Sequence, residues 1–440
     1  MRDNKYVLSN FTFYDRTGIQ AYLEQQAAKG WLLEKADTFL WRFRRIEPKK
    51  LHFSVVYFPG ADIYDPEPGE EEQTFREFCA HGGWTLAASS AQMQIFWSEA
   101  ENPMPIETDP VMEVDNIHKS MKKGMLPSYW ILILNGVLQF ALQLIYLSDG
   151  VTAYLSSHLR LSLAGLWILL LIIGVWRLIH YYAWRRQAKW MAEQEGIFEP
   201  TRSMARVELI SACLVFAGLL GMIFSLEDRR MRVVLGISLL LAFVLIGLVE
   251  AFRRKLKREG YEAGANKTAT TIAAVVLTIV LLIIVMPMVS NAVLNDGHND
   301  NDKAAGLKLK IWDLVEDTQP YTTIVMTDQE TFLLGYQRVH QVPEGALTIP
   351  SLQYHLVEVK ADFLYDKCLE DTMTIPIYMP GGVFHSIDPA PWGAEAAWQL
   401  HNGEEFRNWY VLCYEDYILE IIPSWEMTTA QMETVGEIFG

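Results

Sequence analysis

Five apolar runs, at residues 127–147, 161–181, 207–225, 233–252 and 269–289, interrupt a chain whose other apolar positions recur only over short distances. Each run is close to the ~20 residues a helix needs to cross a hydrocarbon core, and none has a charge at its centre. Arg177 and Glu250 lie near run ends, where a long side chain can reach the interface. The pattern predicts a polytopic α-helical membrane protein with five spans.

Either side of these runs the pattern is that of folded α+β domains. Ile19, Tyr22, Leu23 and Ala27 recur at helical spacing between Asp15 and Gly30, which predicts a helix over 16–29. Strand-like runs follow at 31–35, 39–46 and 51–58. A second helix is expected at 70–80, opening on three glutamates and stopping at Gly82-Gly83, and then strands at 84–89 and 92–98. The stretch 102–126 holds Pro103, Pro105 and Pro110 and reads as a linker, long enough to leave the first domain tethered rather than clamped. Beyond the spans, strands are expected at 321–326 and 351–359, a tight hairpin at 409–414 and 417–422 around Glu415-Asp416, and a last helix at 429–438. That helix opens on Thr428 and Gln431, a capping box. The expected domains are 1–101, the linker 102–126, a bundle at 127–290, an acidic tether at 291–306 and a second α+β domain at 307–440.

Charge assigns sides. Fourteen Lys and Arg flank the runs on the side of the N-terminus, among them Arg185, Arg186 and Lys189 and the cluster Arg253 to Arg258; six lie on the other. The excess predicts a cytoplasmic N-terminus and an extracytoplasmic C-terminus. Arg229, Arg230 and Arg232 run against this, beside Glu227 and Asp228. The formal charge of −16 is concentrated after residue 290, with 24 acids against 7 cations. Such a surface argues against nucleic acid and leaves cations or basic partners open.

The first domain contains an echo. A helix stop and strand at Gly30-Trp31-Leu32-Leu33 returns as Gly83-Trp84-Thr85-Leu86. The run Tyr22-Leu23-Glu24-Gln25-Gln26-Ala27-Ala28-Lys29-Gly30-Trp31-Leu32-Leu33, with the aromatic strands Phe39 to Phe43 and Val55 to Phe58, resembles the bacterial domain-of-unknown-function family 2812. The resemblance covers the first quarter of the chain and brings no catalytic residues. It implies a setting beside PadR-like transcriptional regulators, with a role in envelope-stress or transport regulation in a Gram-positive bacterium.

Candidate chemistry is sparse. Asn135, Gln139 and Gln143 share one face of the first span; they form either a polar pathway or, the reading preferred here, amide bonds within the bundle. Cys213, Ala217 and Gly221 make a small-residue stripe in the third span, expected to pack inside the bundle. The basic run after the second span returns after the fourth, which suggests two like hairpins and one further span. Acidic residues at 295–303 lack the glycine and the twelfth-position glutamate of an EF-hand, so a flexible tether is expected rather than a metal site. His385, Ser386 and Asp388 are neighbours in sequence without a nucleophile-elbow pattern. No phosphate loop, paired CxxC or HExxH is present, so no enzyme and no cofactor are expected. Cys368 and Cys413 are expected to be buried and unbridged. The expected function is a membrane-anchored sensory or regulatory protein whose N-terminal domain meets a cytosolic protein partner. The alternative is a transporter subunit or permease accessory handling an amphiphile.

Overall fold

The computed structural model describes residues 3–9, 11–37, 40–66, 68–201, 204–226, 228–294, 307–315, 321–343, 350–375, 380–403 and 405–440. The acidic tether's 295–306, with its metal reading, falls outside them. The chain divides into two compact units. One comprises residues 1–138, 166–220 and 236–285; the other comprises 139–165, 221–235 and 286–440.

The first unit opens with a duplicated motif. Strand β1 (Asn4–Leu8), helix α1 (Arg16–Ala28) and strands β2 (Trp31–Ala36) and β3 (Leu40–Arg45) form one βαββ unit. Strand β4 (His52–Tyr57), helix α2 (Glu70–His81) and strands β5 (Thr85–Ser90) and β6 (Met93–Ser98) form the next. Each gives an antiparallel three-stranded sheet, ordered β1-β3-β2 and β4-β6-β5. The echo seen in sequence is thus a structural repeat. Leu33 pairs with Phe43 and Leu86 with Phe96, and both hairpins carry a bulge one residue later. Gly30 and Gly83 both stop their helices at φ +81°, in the left-handed region that glycine adopts without strain. Tyr22 meets Phe43 edge-on with ring centres 6.3 Å apart, and Phe75 meets Phe96 in the same way at 6.3 Å.

The expected linker is instead part of this fold. Residues 110–123 form helix α3 (Pro110–Lys123), with Pro110 in its first turn and Asp109 capping it. Val114, Ile117 and Met121 are buried in the core that also holds Leu23, Phe43 and Val55. Three prolines suggested a tether, but two precede the helix and the third suits its start.

Five helices among the described residues are long and apolar enough to cross a membrane. They are α4 (Met125–Asp149), α6 (His158–Glu195), α7 (Ala205–Phe224), α8 (Arg229–Arg258) and α9 (Ala263–Leu294), with the short α5 (Val151–Leu155) between the first two. Few residues of their most apolar stretches are buried by protein, from none to 17% in each. Close approach occurs where α4 meets α6. A Cβ on Gly136 would lie 3.1 Å from Leu171, and one on Gly174 would lie 3.1 Å from Ile133, so these glycines let the helices interlock.

In the second unit, a seven-stranded antiparallel sheet is ordered β10-β11-β12-β13-β9-β8-β7. Its strands are β7 (Tyr321–Glu330), β8 (Leu334–Pro343), β9 (Leu352–Val359), β10 (Gly382–Ile387), β11 (Ala396–Asn402), β12 (Glu405–Cys413) and β13 (Tyr417–Pro423). Helices α10 (Ile311–Leu314) and α12 (Thr429–Phe439) cover Tyr354, Leu412 and Ile421 on one face. Helix α11 (Tyr365–Thr372) covers Val357, Val411 and Ile418 on the other. The capping box of the last helix is present, with Thr428 N donating to Gln431 Oε1 at 2.9 Å. Cys368 and Cys413 are buried and free, as expected. Asp371 caps α5 by accepting from Thr152 N at 2.9 Å.

Candidate functional site

The site is built where the duplicated domain meets the far end of α6. From the last turn of its apolar run onward this helix keeps a buried stripe, Leu178, Tyr181, Trp184, Ala188 and Ala192, at spacings of three and four residues. Those residues share one core with Ile19, Leu23 and Ile117. The Tyr14 hydroxyl and His180 Nδ1 share a hydrogen bond of 2.7 Å, and Tyr181 and His118 Nδ1 share one of 2.8 Å. The Tyr14 ring packs on both Tyr181 and Trp184, with centres 5.1 Å away. Two aromatic hydroxyls and two imidazoles are therefore interleaved between α1's entry, α3 and α6.

Local chemistry explains why these groups are held there. Asp15 caps α1 through Gly18 N at 3.0 Å and accepts from Thr201 Oγ1 at 2.7 Å, which ties the segment after α6 to the start of the domain. A Cβ at position 18 would lie 2.4 Å from the Asp15 carboxylate, so any larger residue there would displace this cap. Arg16 pairs with Glu113 on α3. Glu107 lies nearby; burial raises its pKa, and Arg16 opposes that rise. Burial, with Arg185 and Lys122, lowers the pKa of His118, so its neutral form is favoured. The expected tethered module is thus interlocked with helix ends by buried polar bonds.

The basic end of α8 makes a second junction. Arg253 and Arg254 both pair with Glu250, and Arg254 also reaches Asp37 at 3.2 Å. Asn266 Nδ2 donates to the Tyr64 carbonyl at 3.0 Å. Between this helix end and the domain lies a cavity of about 510 Å³. Phe11, Phe13 and Trp41 line it beside Lys35, Asp37, Asp65, Glu72, Arg76 and Lys257. Its size suits a small organic molecule.

Residues 15–129 match the family model described as Protein of unknown function (DUF2812). The DUF2812 match takes in both helices of the duplication, most of its strands, α3 and the start of α4. It bears out the resemblance read from the sequence and leaves the rest of the chain unmatched. No curated protein and no solved structure matches.

The residues singled out in sequence do not converge. Asn135 Nδ2 donates to Ile131 O of its own helix at 3.1 Å, whereas Gln143 accepts from Tyr154 at 2.9 Å. Gln139 is half-buried. Cys213, Ala217 and Gly221 are all exposed, so the stripe does not pack inside the bundle as expected; Gly136 and Gly174 do so instead. A four-residue spacing of small residues defines a face but not which neighbour the face meets. Arg177, near the end of its apolar run, pairs with Glu208 through two nitrogens. His385 lies against His401, the rings tilted with centres 4.3 Å apart, and Asp388 accepts from Ala390 N at 3.1 Å, so these residues do not form a Ser-His-Asp relay. Among the described residues no three His, Cys, Asp or Glu side chains group as metal ligands. The α6 stripe was legible as helical spacing continuing beyond Tyr181, but there it was hidden among charges.

Proposed function

We propose that this is a membrane-anchored sensory or regulatory protein of a bacterial cell membrane. Its N-terminus is cytoplasmic and its C-terminus extracytoplasmic, and its DUF2812-matching domain meets a cytosolic protein partner. The interlocking of that domain with the end of α6 carries the reading. A domain held by Tyr14–His180 and His118–Tyr181 cannot keep its place when α6 shifts or turns, so helix displacement is passed to the domain surface. A PadR-like regulator is the partner class implied by family resemblance. The rival, a transporter subunit, draws no support from the first span, where Asn135 is spent on its own helix backbone.

The test is crosslinking in cells from the exposed strand residues Tyr6 and Leu8, in the wild type and in Tyr14→Phe. A captured cytosolic protein whose yield changes with Tyr14→Phe is expected. An absence of capture in both would remove the regulatory reading. Changing Asn135, Gln139 and Gln143 together to Leu should leave function intact at normal protein level, whereas loss would restore the transport reading. Reporter fusions at Gly82 and Gly440 should label opposite faces, the first cytoplasmic.

A further inference from the structure

The cavity beside α8 holds two charges that the fold leaves unspent. Lys35, Arg76, Arg253 and Arg254 each pair with a carboxylate that also lines the cavity. Asp62 reaches Lys123 at 3.5 Å. Lys257 and Asp65 make no ion pair and no side-chain hydrogen bond among the described residues, although each lies within electrostatic reach of the other. The Nε–H of Arg76 is buried and also lacks an acceptor. Charged groups held near low-dielectric walls gain most from a partner that brings the opposite charge with hydrogen bonds. A single ion would satisfy one of the two and repel the other.

We propose that the cavity binds a phosphoethanolamine group, with its phosphate against Lys257 and Arg76 and its ammonium against Asp65. A phosphate offers several acceptor oxygens, which suits an ammonium and a guanidinium N–H together, whereas the ammonium gives Asp65 donors at short range. Phe11 and Trp41, stacked with centres 5.7 Å apart, supply an apolar wall for whatever the group is attached to. Lys257 lies five residues, just over one turn, beyond Phe252, where the apolar run of α8 ends; a lipid headgroup would sit at that level if the helix spans. The same chemistry is carried by the free phosphoester. Binding does not depend on the relay proposed above, since neither Tyr14 nor α6 lines the cavity.

The full-length protein is reconstituted in nanodiscs of phosphatidylglycerol mixed in equal parts with phosphatidylethanolamine or with phosphatidylcholine, and the lipid it retains is counted by native mass spectrometry. The wild type should retain the ethanolamine lipid about tenfold better, a difference near 1.4 kcal/mol. Lys257→Gln and Asp65→Asn should each abolish the preference, and Lys257→Arg, which keeps the charge, should preserve it. Thermal melting of each variant establishes that it is folded, and Lys257→Arg serves if the Gln variant is not. Free phosphoethanolamine that displaces the lipid, or raises the melting temperature in detergent without it, assigns the soluble source. Displacement by neither, with retention intact, assigns the lipid. Equal retention of both lipids without any shift by the free compound overturns the proposal, as does an unchanged preference in both neutralised variants.

Discussion

The two βαββ units share a register, a bulge, a helix stop and a ring pair, yet one is packed on both sides of its helix and the other on one. Ile19 and Leu23 of α1 are buried, whereas Glu72 and Arg76 at the equivalent positions of α2 form an ion pair, and Gln94 donates to the same carboxylate at 2.8 Å. The sheets differ in the same way. Phe53, Val55, Tyr57, Met93 and Ile95 are buried on the face of the second sheet that meets α1 and α3. The matching positions of the first sheet are Asn4, Tyr6, Leu8, Leu40 and Arg42, and there Tyr6 and Leu8 are 59% and 65% exposed. One backbone plan thus tolerates two surfaces, because local pairing sets the strands while burial sets the side chains.

Exchanging the two helix surfaces is the strongest test of this contrast. Ile19→Glu with Leu23→Arg places charges where both neighbours are apolar and should cost at least about 4 kcal/mol, read as loss of the proteolysis-resistant N-terminal domain. The reverse exchange, Glu72→Ile with Arg76→Leu, should leave that domain resistant. If both exchanges are tolerated equally, the asymmetry has no energetic content.

Single truncations sharpen it. Leu23→Ala should destabilise by about 2–5 kcal/mol through the cavity left behind, and Arg76→Ala by less, about 1–2 kcal/mol, because the buried Glu72 carboxylate keeps its bond from Gln94. Tryptophan fluorescence during denaturation in detergent measures both. Equal losses would mean that α2 is as deeply engaged as α1.

The two helix stops differ by less. An alanine at either Gly30 or Gly83 pays about 1 kcal/mol for a left-handed backbone. At Gly30 the added Cβ also meets Ile46 O at 2.8 Å, whereas at Gly83 it meets nothing within 4 Å. Gly30→Ala should therefore melt lower than Gly83→Ala, and the reverse order would contradict the packing described.

The smallest effect is one of pH, and it belongs to the first unit's junction alone. His118 has a lowered pKa in the folded protein, so folding favours its neutral form. That contribution is complete above the unfolded value of about 6.5 and is lost as pH falls from there toward the folded value. Melting temperature should drop more steeply with acidification in the wild type than in His118→Gln, and parallel curves would show that His118 does not report on the junction.

Much of this protein was determined by short stretches of its own chain. The five long helices follow from apolar runs that no soluble core of this size could bury, and their ends lie within six residues of the ends of the runs, except at the far end of α6. Both helices of the duplication, the two stops at Gly30 and Gly83 and the Thr428 capping box depend on contacts within four residues, so local chemistry suffices. The strand β1 was not foreseen, because Asn4–Leu8 gains its place from pairing with β3, 32 residues away or more, rather than from any pattern of its own. Helix α3 read as a tether because prolines mark both linkers and helix starts, and only Ile117 and Met121 reaching a core built by other segments distinguishes them. The same holds for the site. Asp15, Tyr14 and His180 are ordinary residues in sequence, brought together across more than 160 positions. The exposed Cys213, Ala217 and Gly221 and the interlocked Gly136 and Gly174 are alike as helix-face patterns. Which of them meets a neighbour was decided by tertiary packing, since a helix's period specifies a face and never the partner on the other side of it.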